Sequence, residues 1–163
     1  MINLKGLFPL LQNETVYRSW VDKFKSGQQS STLSIVAPGR PYLVSSLFDE
    51  LNRSILFVVS NEERAKDCFD QLLLFLGEEC VCLFPQPELL PYQRAAIDRI
   101  SELDIISALS TLSGRPQKYP RVFIISIDGL SQTLPAPDTF AKAWNTISVG
   151  TEIPPFTLIA LLN

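Results

Sequence analysis

The chain has 163 residues, 46% of them apolar and 19% charged, and its 14 basic and 17 acidic residues give a net charge of −3. This length suits one domain with a hydrophobic core, and the apolar content excludes a disordered tail. The acidic balance argues against nucleic-acid binding driven by phosphate attraction. Histidine is absent, which excludes Ser-His-Asp triads, imidazole bases and histidine-ligated metals.

The cysteine content and the apolar runs indicate a cytoplasmic protein. Three cysteines are too few for a disulfide framework or a four-ligand zinc site. Cys80 and Cys82 stand two apart in an apolar run, so we expect them to share one face of a strand as small core residues. No cleavable leader and no apolar run of membrane-spanning length is visible. The sequence therefore predicts a cytoplasmic location and no membrane partner.

Apolar stretches alternate between strand-like and helix-like spacing along the chain. The predicted helices are residues 14–25, 42–51, 61–76, 95–112 and 139–144, and the predicted strands are residues 32–36, 55–59, 80–84 and 122–125. The five consecutive apolar residues at 55–59 favour a strand buried on both faces. Strands separated by helices predict an α/β domain with a mainly parallel sheet and helices on both faces.

Two helices carry more specific signals. Ser60 and Glu63 form the S-x-x-E pattern of a capping box, so Ser60 is expected to open the helix that ends before Gly77. In the helix at 95–112, apolar residues recur every third position, namely Ile97, Ile100, Leu103, Ile106, Leu109 and Leu112. Such a stripe drifts around a helix, so this helix is expected to be bent or covered on more than one side.

The turn APGRPY at 37–42 lies where a phosphate-binding loop would follow the first predicted strand. A working loop needs several glycines, a lysine and a Ser or Thr hydroxyl. Here Pro38 and Pro41 lack amide donors, Gly39 is the only glycine, and no lysine is present. One positive residue, Arg40, makes no cradle. We therefore interpret Pro38, Gly39 and Arg40 as a degenerate phosphate-loop position in a solvated turn.

Asp128 follows the predicted strand at 122–125, as the acid of a Walker-B strand would. That acid would hold magnesium, but without a phosphate loop there is nothing for the metal to bridge. Asp128 is therefore expected to cap the helix that starts near Gly129. A small nucleotide- or anion-binding α/β enzyme domain that uses Arg40 and Asp128 stays open as an alternative.

Residues 84–92 read FPQPELLPY, which matches the pattern FP-x-x-E-x-LPY. This loop, the helix and the strand that follow it, and the passage ISVGTEI at 147–153 resemble the amino-terminal, UvrB-like module of bacterial transcription-repair coupling factors, in the same order. The resemblance covers the chain from about residue 33 onward.

The resemblance implies a degenerate P-loop, RecA-like helicase lobe. It divides the chain into a helical segment at 1–30, the helicase-like domain at 31–143, and the truncated start of an inserted UvrA-binding domain at 144–163. An ATP-hydrolysing lobe of the UvrB type is a further possibility, against which the missing lysine argues.

By the same resemblance, the chain would be a non-catalytic scaffold in nucleotide excision repair that helps to recruit the damage sensor UvrA to stalled RNA polymerase. No catalytic residue, cofactor or metal is expected in this piece. ATP and magnesium would serve a motor further along the full-length protein, which would also contact DNA and RNA polymerase. The residues that contact UvrA would lie beyond Asn163.

Overall fold

The computed structural model describes residues 4–27, 30–86, 99–113, 120–144, 150 and 152–157. The helices are α1 (Phe8–Gln12), α2 (Thr15–Lys25), α3 (Arg40–Leu51), α4 (Glu62–Leu76), α5 (Arg99–Leu112), α6 (Ile127–Leu130) and α7 (Pro137–Ala143). The strands are β1 (Ile55–Val59), β2 (Val81–Leu83) and β3 (Val122–Ser126). The chain forms two compact units, Met1–Gln132 and Thr133–Asn163, and the sheet belongs to the first.

The three strands form one parallel sheet in the order β1-β3-β2. Phe123 of the central strand pairs with Leu56 on one side and with Cys82 on the other. All five residues of β3 are buried, as an apolar strand between two neighbours should be. The prediction of an α/β fold with a parallel sheet is confirmed.

One face of the sheet, which we call the crowded face, carries the main core. Its strand residues are Ile55, Phe57, Val59, Val81, Leu83, Val122 and Ile124. Helix α4 packs on this face through Leu72, which is fully buried, and α3 does so through Phe48. Phe8 of α1 belongs to the same cluster and stacks on Phe75 with ring centroids 6.0 Å apart.

A second cluster lies where α2 packs on α3. Tyr17 and Val21 of α2 are buried against Leu43 and Leu47 of α3. The Ser46 hydroxyl donates a hydrogen bond to the Tyr17 oxygen at 3.1 Å. Helices α1 and α2 are therefore packed into the first unit through both clusters.

The opposite side of the sheet, which we call the open face, consists of Leu56, Val58, Cys82, Phe123 and Ile125. Helix α5 covers part of it, with Ala108 packed against Phe84 and Ile125. Leu56 and Val58 remain 55% and 41% exposed. The prediction that this strand is buried on both faces is wrong, because α5 packs over β2 and β3 and leaves β1 uncovered.

The predicted strand at 32–36 is also wrong. These residues form no regular structure and join no ladder of the sheet. Leu33 and Ile35 are half-buried beside the α2–α3 cluster, while Thr32, Ser34 and Val36 are exposed. Burial does alternate along this segment, but the half-buried side chains pack against helices α2 and α3 instead of lying in a sheet.

Helix α5 shows the predicted coverage on more than one side near its C-terminal end. Leu103, Ile106 and Leu112 are exposed, whereas Ala108 is buried and Leu109 is half-buried. Ser110 is buried as well, and at 3.6 residues per turn it lies on the side of the helix opposite Ala108. Residues 95–98 of the predicted helix lie outside the described residues, as does most of the passage ISVGTEI at 147–153.

Two local predictions need correction by one residue each. The cap of α4 is Asn61, whose side-chain oxygen accepts from the Arg64 amide at 2.9 Å, and not Ser60. Strand β2 begins at Val81, so Cys80 packs towards the crowded face while Cys82 lies on the open face. The predicted shared face of the two cysteines is wrong because Cys80 still belongs to the preceding 3-10 turn.

The cysteines are free and half-buried. Burial raises the pKa of the Cys68 thiol, and the neighbouring Asp67 adds to this, while burial likewise raises the pKa of Cys82. Both thiols are therefore poor nucleophiles at neutral pH. Within the described part of the chain, no helix combines the length and apolar content needed to cross a bilayer.

Candidate functional site

The turn before α3 is filled by the chain's own atoms. Residues 37–39 form one 3-10 turn, in which the Gly39 amide donates to the Val36 carbonyl at 2.9 Å. A Cβ added at Gly39 would meet Ile35 Cδ1 at 3.2 Å, so the Ile35 side chain lies over the turn. A phosphate cradle needs successive backbone amides that point at the ligand. At this position one such amide is already used and apolar atoms occupy the space.

Arg40 is the first residue of α3 and is exposed. Pro41 follows it and is buried, so the helix start is held by packing and offers no amide at that position. The Arg40 backbone amide donates to the Ala37 carbonyl, and none of the described side-chain hydrogen bonds and ion pairs involves Arg40. Its positive charge lies close enough to Cys68 to oppose the burial that raises the pKa of that thiol.

Asp128 is not the cap of α6. Ser126, the last residue of β3, has extended backbone angles, and its hydroxyl accepts from the Gly129 amide at 2.9 Å. Asp128 lies inside the first helical turn and is exposed. The prediction started the helix two residues too late, because Asp is a common capping residue and the end of a buried strand cannot be read from the apolar pattern alone.

Neutral side chains join the carboxyl ends of β2 and β3. The Ser126 hydroxyl donates to Gln86 Oε1 at 2.9 Å, and Gln132 Nε2 donates to the Pro85 carbonyl at 3.3 Å. Ser126 is itself buried. Ligands of open parallel sheets bind at this edge, and here the chain's own polar groups satisfy one another. Sequence reasoning missed Gln86 and Gln132, and their only signal was a polar residue close behind a buried strand.

The two residues of the alternative hypothesis are not brought together by any described contact. Arg40 starts α3 and Asp128 follows β3, and neither takes part in a described ion pair. Within the described residues, no group of three or more Cys, Asp and Glu side chains is placed to hold a metal ion. Each residue therefore acts as a single exposed charge.

Two cavities lie elsewhere on the first unit. One, of about 290 Å³, is apolar and lies between α1, Tyr42 and Phe75. The other, of about 330 Å³, is lined by Lys5, Asp49 and Glu79 among others. Neither includes Arg40 or Asp128 in its lining.

A search against protein-family models and against curated proteins finds no match to this chain. The functional argument therefore rests on the residues and their geometry.

Proposed function

We propose that this chain is a non-catalytic scaffold of a bacterial transcription-repair coupling factor, which helps to recruit UvrA to stalled RNA polymerase. The observation that supports this most directly is the turn before α3. The Ile35 side chain lies over Gly39, and the Gly39 amide donates a hydrogen bond to the Val36 carbonyl. A lobe that has the helix and strand order of a helicase but contains this turn would support other domains without hydrolysing ATP.

The charges around the turn support the same proposal. Arg40 is exposed, and a lone cation in water gains little from one phosphate. Asp128 is exposed as well, and within the described residues it belongs to no group of three or more potential metal ligands. A triphosphate with magnesium needs several converging donors and ligands. In the proposed protein, ATP and magnesium belong to a motor in another part of the full-length chain.

The proposed division of labour follows the family resemblance. The degenerate RecA-like lobe comprises residues 31–143, preceded by the helical segment at 1–30, and residues 144–163 form the start of the UvrA-binding domain. A core that fills one face of a parallel sheet provides a rigid support. UvrA would bind mainly through the following domain, RNA polymerase and DNA through other parts of the protein, and the location would be the cytoplasm.

The first experiment tests nucleotide binding. Thermal unfolding is measured with and without ATP and magnesium, and we expect an unchanged melting temperature. ATP at about one hundred times its dissociation constant would stabilise the fold by about 2.7 kcal/mol. A clear shift that Arg40→Ala or Asp128→Asn abolishes would instead establish the alternative, a nucleotide- or anion-binding domain. Ser131→Ala, an exposed change close to Asp128, serves as the control variant.

The second experiment tests recruitment directly. Binding of UvrA is compared between the present chain and a chain extended past Asn163 through the following domain. We expect the extended chain to bind and the present chain to bind weakly or not at all. An extended, folded chain without affinity for UvrA would contradict the scaffold proposal.

A further inference from the structure

Strand β1 has one edge without a partner in the described structure. It pairs with β3 alone, and the Ile55 amide donates to the Arg121 carbonyl at 3.0 Å. Because backbone groups alternate along a strand, Ile55, Phe57 and Val59 face β3. Leu56 and Val58 therefore direct their N–H and C=O groups to the other edge, where no described strand pairs with them.

Strand β1 itself carries no charge, proline or bulge that would block strand pairing. Its register with β3 is continuous over residues 55–59. Natural edge strands usually carry Lys, Pro, a bulge or a covering element. Leu56 and Val58 also expose apolar side chains on the open face. An uncharged, regular edge of this kind is a template for another strand.

We propose that β1 is a self-association surface, on which β1 of a second copy adds as an antiparallel strand. A two-fold axis at Phe57 places Leu56 opposite Val58 of the second copy. These are the residues with outward backbone groups, so each pair exchanges both of its hydrogen bonds. Their side chains then cover each other on the open face. The two sheets become one continuous sheet.

The charges that flank β1 favour a second copy over an unrelated strand. Arg53 precedes the strand and Glu63 follows it, and both are exposed and absent from the described ion pairs. The same register sets Arg53 opposite Asn61 of the second copy, two residues before Glu63, and we expect these two opposite charges to pair. The two-fold axis creates this pair twice. A parallel arrangement would instead bring the Arg53 side chains together, so the charges select the antiparallel dimer.

The association should be weak, because one short strand buries far less than the roughly 1,600 Å² of a standard interface. Sedimentation equilibrium over a wide range of protein concentration should show a reversible monomer–dimer equilibrium. Val58→Lys places a charge at the centre of the pairing and should weaken the dimer about tenfold or more. Leu103→Lys on α5, where the leucine is 64% exposed, is the matched control and should leave the dimer unchanged.

A charge exchange tests the register. Arg53→Glu should weaken the dimer, and the further change Glu63→Arg in the same chain should restore it. Amide exchange supplies a second readout, since protection at Leu56 and Val58 should rise with protein concentration. A chain that stays monomeric at all concentrations, or a Leu103→Lys effect equal to that of Val58→Lys, would overturn the proposal. Protection that does not depend on concentration would show that another part of the same chain covers the edge, and would overturn it too.

Discussion

On the crowded face of the sheet, helices α1, α3 and α4 contribute to one core with side chains from all three strands. On the open face, α5 covers residues of β2 and β3 and leaves Leu56 and Val58 exposed. The same strand, β1, thus has one side in the core and the other towards solvent. Strand composition records how apolar a segment is, whereas burial depends on what packs against it.

The largest expected effect comes from the crowded face. Leu72→Ala on α4 removes a fully buried side chain and should lower the free energy of unfolding by about 2–5 kcal/mol, since a cavity remains in the core. Leu74→Ala changes the same residue type on the same helix where it is 45% exposed. This control should cost no more than about 0.5 kcal/mol. Urea denaturation measures both, and similar losses would contradict the asymmetry between the two sides of α4.

A smaller effect is expected where the strand ends meet. Ser126→Ala removes the cap of α6 and leaves Gln86 without its donor, so the free energy of unfolding should fall by about 0.5–2 kcal/mol. Ser131→Ala removes an exposed hydroxyl that bonds the Asp128 carbonyl and should have little effect. Equal losses from the two variants would show that Ser126 does not anchor the strand ends.

The smallest effect near neutral pH concerns the α2–α3 cluster. Burial raises the pKa of Tyr17 to about 12, the Ser46 hydrogen bond opposes this, and the Glu50 carboxylate adds to it. A raised pKa means that the folded state holds the proton more tightly. Its contribution to the free energy of unfolding is therefore complete below the unfolded pKa of 10.0 and is lost as the pH rises towards 12. Tyr17→Phe should reduce this loss in urea titrations. An absorbance titration that finds Tyr17 ionising like a free tyrosine would contradict it.

Elements with strong local signals were predicted well from the sequence. Strand β1 has the predicted bounds, and helix α4 ends as predicted but begins one residue later. An apolar run and a helix between a capping residue and Gly77 are encoded by neighbouring residues. The candidate site was predicted less well. Composition showed that the turn at 37–41 lacks a lysine, but only the structure showed Ile35 above Gly39 and Ser126 in place of Asp128 as the cap.

By itself, the sequence determined the class of fold, the positions of most helices and strands, and the absence of histidine chemistry. These follow from residue type and spacing. The tertiary structure alone decided that residues 32–36 form no strand, that β1 has a free edge among the described residues, and that α5 leaves Leu56 and Val58 exposed. Each of these depends on a contact between distant segments, and a strand exists only when a second strand supplies hydrogen-bond partners for its backbone.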